Sequence, residues 1–213
     1  MIANLFKSPL IFFITLLSLI IAITVHEFSH AWAAEHLGDP TPRLQGRLSL
    51  NPLKHLDPMG TMLMILIGFG WGKPVQFDPY NLRDPRRDAA LISFAGPCSN
   101  FITAILLSIV LKVFIFFNIN IFIIIGLFFV TVIKLSLILG LFNLLPVEPL
   151  DGFKIVAGLL PEDKAAEWNN LKQYSMYFLI LLIAPLFGGS SLASILINPL
   201  FNFLTNLLIP FAA

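Results

Sequence analysis

LIFFITLLSLIIAITV, residues 10–25, runs without a charged residue straight into HEFSH, residues 26–30. A long apolar run with polar flanks is what a lipid-crossing helix requires, because hydrocarbon offers the backbone no hydrogen-bond partner. Similar runs occupy 101–111 and 121–133. The composition agrees: 57% of the 213 residues are hydrophobic and 12% are charged, whereas a soluble domain carries roughly 25% charge. These features predict an all-α polytopic membrane protein, built as a single membrane-embedded domain over residues 1–213. The first run is too long for a secretory signal, has only Lys7 before it and lacks a small-residue cleavage site, so it is read as a retained helix. A net charge of +1 argues against a nucleic-acid partner, and Cys98, the single cysteine, excludes an intramolecular disulfide.

The first helix is expected over residues 8–37, stopped by Gly38, Asp39 and Pro40. A second is expected over 88–117, with a turn at Asn118-Ile119-Asn120, and a third over 121–145, ending before Pro146. Residues 147–172 read as a polar loop, and Pro185, Gly188-Gly189 and Pro199 break the remaining apolar sequence, which holds one span or two. The run from Met59 to Phe69 decides the topology: its 11 residues are too few to cross, and basic residues flank it on both sides. Arg43, Arg47 and Lys54 precede it, and Lys73, Arg83, Arg86 and Arg87 follow. Basic residues collect on the cytoplasmic face, so the run is expected to be re-entrant or interfacial. With Lys154, Lys164 and Lys172, ten of the thirteen Lys and Arg residues then share that face. The architecture is thus a core of three transmembrane helices plus C-terminal helices, a re-entrant or interfacial segment, and a short extended or hairpin element near Gly70–Phe77.

In the first helix His26 and His30 lie four residues apart on one face, so both imidazoles can reach one ion. Glu27 projects towards the same side, where it can take a proton from a water that zinc activates. Such a five-residue pattern is short and also arises by chance. Its depth adds weight: at 1.5 Å per residue His26 lies about 16 Å from the helix end, near the middle of a ~30 Å hydrocarbon core. Three ionisable groups there are costly unless paired or metal-bound. The ion requires a third ligand, for which His36, Glu35, His55, Asp57, Glu148 and Asp151 are the candidates. Glu35 and His36 cannot easily fold back along one straight helix, and His55 and Asp57 lie in a polar loop. Glu148 and Asp151 follow a helix broken by Pro146 and Pro149, which can turn their backbone into a cavity.

The HEFSH motif together with Asn143-Leu-Leu-Pro146-Val-Glu-Pro149-Leu-Asp151-Gly152 resembles the site-2 protease family of intramembrane zinc metalloproteases. Ala95-Gly96-Pro97-Cys98-Ser99-Asn100 is similar to the family's Gly-Pro motif opening a core helix, and Gly70–Val75 is similar to a segment of its compact prokaryotic members, which have no PDZ or C-terminal nucleotide-binding module. The resemblance spans residues 20–155. It implies that Asp151 is the third zinc ligand beside His26 and His30, with one Zn2+ per chain. It also implies that Glu27 is the catalytic base and that Asn143 positions substrate or stabilises the oxyanion. Glu148 departs from the family pattern, and solvation in cytoplasmic water is its expected state. Asn100 is a candidate second substrate or oxyanion donor, set against a plain helix-packing role. Lys134, on the far side of the third helix from Asn143, is expected to snorkel or pair. Residues 72–77 offer an extended edge to substrate or else cap the site as a hairpin.

The expected function is cleavage of peptide bonds in or near transmembrane segments of membrane-protein substrates, in regulated intramembrane proteolysis. The expected location is the prokaryotic plasma membrane, with the lipid bilayer as surroundings and the active site opening to the cytoplasm; the sequence names no oligomeric state. The competing classes are a non-catalytic membrane metal-binding protein and a peptidase acting on soluble peptides at the membrane face. Glu27, standing where a base is needed, argues against the first.

Overall fold

A computed structural model describes residues 2–67, 70–117, 123–185 and 189–210. The helices are α1 (Ile2–Lys7), α2 (Pro9–His36), α3 (Thr41–Leu44), α4 (Pro58–Ile67), α5 (Pro85–Phe116), α6 (Ile123–Asn143), α7 (Asp151–Leu159), α8 (Glu162–Asn170), α9 (Ser175–Ile183) and α10 (Leu192–Leu208). Among the described residues no strand forms. α2, α5 and α6 have 28, 32 and 21 residues and mean hydropathy of 2.3, 2.1 and 2.5, which is long and apolar enough to cross a bilayer. They pack on one another in all three pairings, and α7 lies against α5. Ala104, Ile133, Leu137 and Ile209 form a buried core between α5, α6 and the end of α10.

α2 starts at Pro9, where a missing N–H costs nothing, and stops in a Schellman motif. Gly38 takes φ +107, its N–H donates to the Glu35 carbonyl, and the Asp39 N–H reaches back to Ala34 at 2.9 Å. α5 begins three residues earlier than expected because Asp84 caps it, accepting from the Arg87 N–H while Asp88 accepts from the Asp84 N–H. Gly96-Pro97 therefore sits inside α5 instead of opening a helix. A proline in a buried membrane helix is tolerated where neighbouring helices surround the freed backbone groups. The expected turn at residues 118–120 lies outside the described residues.

Two expectations are corrected. Residues 147–172 are not a polar loop: they carry α7, α8 and a 3-10 turn at Leu171–Tyr174. α7 buries Phe153 and Ala157, while Gly158 sits so close to Ala90 of α5 that a Cβ would collide. α8 carries Glu162 and Asp163 in its first turn, where the helix dipole favours acid, and its Trp168 stacks on Phe153 and donates to the Phe153 carbonyl. Both helices are short and amphipathic, so neither shows as an apolar run. Pro199, expected as a break, lies within a continuous α10. α4, at 10 residues, is too short to cross, in agreement with the re-entrant or interfacial reading. The extended element near Gly70–Phe77 is present as an antiparallel bridge between Leu56 and Gly72, followed by irregular chain through Phe77.

Asp39 ties the end of α2 to this chain. Its fully buried carboxylate accepts from the Thr41 N–H and hydroxyl, the Asp78 N–H at 2.7 Å and the Asn81 amide at 2.7 Å. Burial acts to raise its pKa, but these donors outweigh burial and hold the carboxyl below its ordinary value. A depressed carboxyl stabilises the fold above the ordinary carboxylate range and loses that contribution as pH falls through its native value. Asp39→Asn should therefore cost about 2 kcal/mol at neutral pH. In thermal unfolding of detergent-solubilised protein, the gap from wild type should close as pH is lowered past the carboxylate range.

Candidate metal centre and active site

His26 and His30 are both buried, with ring centroids 4.6 Å apart. Each ring is oriented by the bond its Nδ1 makes. His30 Nδ1 lies 2.7 Å from the Ile92 carbonyl oxygen, which can only accept, so Nδ1 carries the proton. His26 Nδ1 lies 2.7 Å from Asn100 Oδ1. The Asn100 amide is fixed the same way: its Nδ2 donates to the Ala22 carbonyl at 3.0 Å, which turns Oδ1 to His26. Both Nε2 atoms are thus left as bare lone pairs, 3.1 Å apart.

Into this gap comes Asp151, the first residue of α7. Its Oδ2 stands 3.1 Å from His26 Nε2 and 3.3 Å from His30 Nε2, and it is buried without a hydrogen-bond partner. Three electron pairs held this close in a buried space repel unless a cation lies among them. A tetrahedral zinc with bonds near 2.0–2.1 Å separates its ligand atoms by about 3.3 Å. The triad matches that spacing, and its donor set of two imidazoles and a carboxylate suits zinc with one position left open. Gly96 makes room for the imidazoles: a Cβ there would collide with His30 and stand 2.7 Å from His26 Cε1. Gly152, packed on the Leu144 and Leu145 carbonyls, lets α7 tuck under the end of α6.

The other candidates for the third ligand are engaged elsewhere. Glu35 pairs with Arg43, His36 stacks on Trp32 while bonding its carbonyl, and Asp57 accepts from the Gly60 N–H at the start of α4. His55 is fully buried against the Ser49 carbonyl; burial pulls its pKa below the ordinary value, opposed by that bond. Glu148 is not solvated as expected. It is largely buried and pairs with Lys172 at 3.2 Å. Lys134 is exposed on α6.

Glu27 faces the chain that follows α4. Its Oε2 accepts from the Val75 N–H at 3.1 Å and lies 3.9 Å from Arg47 Nη2. Arg47 is 3% exposed and donates to the Lys54 and Lys73 carbonyls, so one side chain ties the strap formed by residues 72–77 to the turn at Pro52–Lys54. Burial lowers the Arg47 pKa from its ordinary value, with the charge of Glu27 opposing. Gly72 is needed here too, because a Cβ would meet Ile23 at 2.9 Å and Glu27 Oε1 at 3.3 Å. Asn143, at the end of α6, donates to the Leu139 carbonyl of its own helix. Neither Arg47 nor the Val75 amide stood out in the sequence, where an arginine in a polar loop carries no signal of burial.

Residues 117–184 match the family model for peptidase family M50. "Putative zinc metalloprotease YwhC" of Bacillus subtilis is 41% identical over 80% of this chain and 80% of its own length. The chain belongs to peptidase family M50. "Putative zinc metalloprotease Rip2" of Mycobacterium tuberculosis is 29% identical over 84% of this chain and 70% of its own length. No solved structure matches the chain. As a member of this site-2 protease family the protein is a membrane zinc metalloprotease, and zinc is its cofactor.

The glycine packed against both imidazoles of this M50 member is Gly96. Replacing it with alanine raises intrinsic helix stability by roughly 0.5–1 kcal/mol. Gly96→Ala should nonetheless lose zinc to a chelator at least ~10-fold more readily than wild type, measured as metal per chain, while helical content persists.

Proposed function

We propose that this chain is a single-domain intramembrane zinc endopeptidase of the HExxH type, cutting membrane-protein substrates in or near their transmembrane segments in regulated intramembrane proteolysis. The observation that carries the reading is the convergence of His26 Nε2, His30 Nε2 and Asp151 Oδ2 within 3.3 Å, two of them on a bilayer-length helix, with Glu27 next to the first. His26, His30 and Asp151 hold the zinc. When bound, zinc supplies Lewis acidity to water and to the scissile carbonyl.

Glu27 is the base: its carboxylate takes a proton from the attacking water and returns it to the leaving amine. The Val75 N–H and Arg47 hold that carboxylate in place. Asn100 acts through His26. Fully buried, with its oxygen on His26 and its amide on Ala22, it keeps the imidazole in the ligating tautomer and is a positioning residue. Asn143 steadies the oxyanion with its amide after releasing the Leu139 carbonyl. The basic loops collected on one face support a cytoplasmic opening of the site in a prokaryotic plasma membrane.

Glu27→Gln should retain zinc and lose at least ~1,000-fold in cleavage of a reconstituted transmembrane substrate. Cleavage surviving that change would refute the mechanism, and cleavage only of water-soluble peptides would favour a peptidase at the membrane face. Asn100→Ala should weaken zinc binding by about 10–100-fold, read by competition with a fluorescent chelator.

A further inference from the structure

A cleft of about 490 Å³ opens between α5, α7, α8 and the end of the strap. Its walls are apolar, formed by Phe77, Phe153, Ala157 and Ala165 among others. Two of its borders come directly from the active site. Phe77 follows Val75, whose N–H bonds Glu27, by two residues. Lys154 follows Asp151 by three, on the same face of α7. The Lys154 ammonium lies 5.4 Å from the centre of the Phe77 ring, so the two side chains bridge strap and α7 on the lining of the cleft.

The charges around the cleft are unequal in their engagement. Arg86 donates to the Leu160 carbonyl, and Lys172 is paired with Glu148. Glu162 lies beyond the far end of α7, exposed to water, where a charge is screened. Among the described residues Lys154 makes no ion pair and no hydrogen bond, and its ammonium lies over the aromatic face of Phe77. A half-buried ammonium over a ring, unpaired with a carboxylate, on the lining of an apolar cleft can receive an added counter-charge.

We propose that the cleft holds the cytoplasmic juxtamembrane segment of the substrate, and that Lys154 selects segments placing an Asp or Glu carboxylate close to the scissile bond. Apolar walls accept the neighbouring side chains, and Lys154 sets the charge preference. The assignment rests on the intramembrane endopeptidase reading, and its test separates the two.

The full-length zinc-loaded chain in proteoliposomes would be given three single-span substrates, identical except for Asp, Asn or Lys at one cytoplasmic flank position beside the cleavage site. Wild type should cleave the Asp substrate about 5-fold more efficiently than the Lys substrate, mainly through KM, and the preference should shrink with added salt. Lys154→Glu should reverse the order, and Lys154→Gln should flatten it, each checked for zinc content. Wild type that treats the Asp and Lys substrates alike overturns the proposal without any variant, as does a zinc-loaded Lys154→Glu that keeps the wild-type order. Failure of the underlying reading looks different: cleavage of all three substrates would then be indifferent to Glu27→Gln.

Discussion

Two imidazole nitrogens and a carboxylate oxygen, all stripped of hydrogen-bond donors, are held within 3.3 Å of one another in the interior of the molecule. Without a cation such an arrangement stores repulsion and leaves a buried carboxylate unpaired, a cost of several kcal/mol. Much of the surrounding structure exists to impose it. The Ile92 carbonyl and the Asn100 amide each take one imidazole N–H, which forces the opposite nitrogen to face inward as a lone pair. Gly96 removes the one side chain that would fill the space, and Gly152 lets Asp151 approach beneath α6.

The polar groups gathered at this site raise a second problem, since a bilayer penalises each of them. The molecule meets it by enclosing them in protein. Glu27 is covered by a strap whose Val75 N–H it accepts, and Arg47 donates to two backbone carbonyls, Lys73 in the strap and Lys54 before α4. Asp39 plays the matching part at the far side, binding the strap's continuation at Asp78 and Asn81 to the end of α2. The irregular chain between α4 and α5 thereby lies against protein at both ends, the condition under which non-helical backbone persists near a membrane. The same strap that holds Glu27 also forms one border of the cleft at Phe77.

Short helices escaped the sequence reading for a common reason. α7 and α8 each have nine residues and bury few side chains, Phe153 and Ala157 in α7 and Ala165 in α8, so their pattern is submerged in a polar stretch. Their existence depends on partners: α7 needs Ala90 of α5 beneath Gly158, and α8 needs Phe153 beneath Trp168. Glu148 illustrates the same point for a single side chain. A loop carboxylate is ordinarily solvated, but the fold of the chain after α8 brings Lys172 to it.

The amino-acid sequence alone determined the membrane class, the three long helices, the short α4 and the placing of His26, Glu27 and His30 together. Each of these follows from hydrophobic length or from the 3.6-residue helical period, which are local properties that need no partner. Which of six candidates completes the triad was open from residue chemistry, and only the resemblance to a family singled out Asp151. The tertiary structure brings Asp151 to His26 and His30 and makes the contacts of Asn100, Arg47 and Gly96. Those depend on contacts such as His26 to Asn100, 74 residues apart, where what matters is the direction of a lone pair and the absence of one methyl group. No periodicity along a chain encodes such features, because they arise only when separate helices pack.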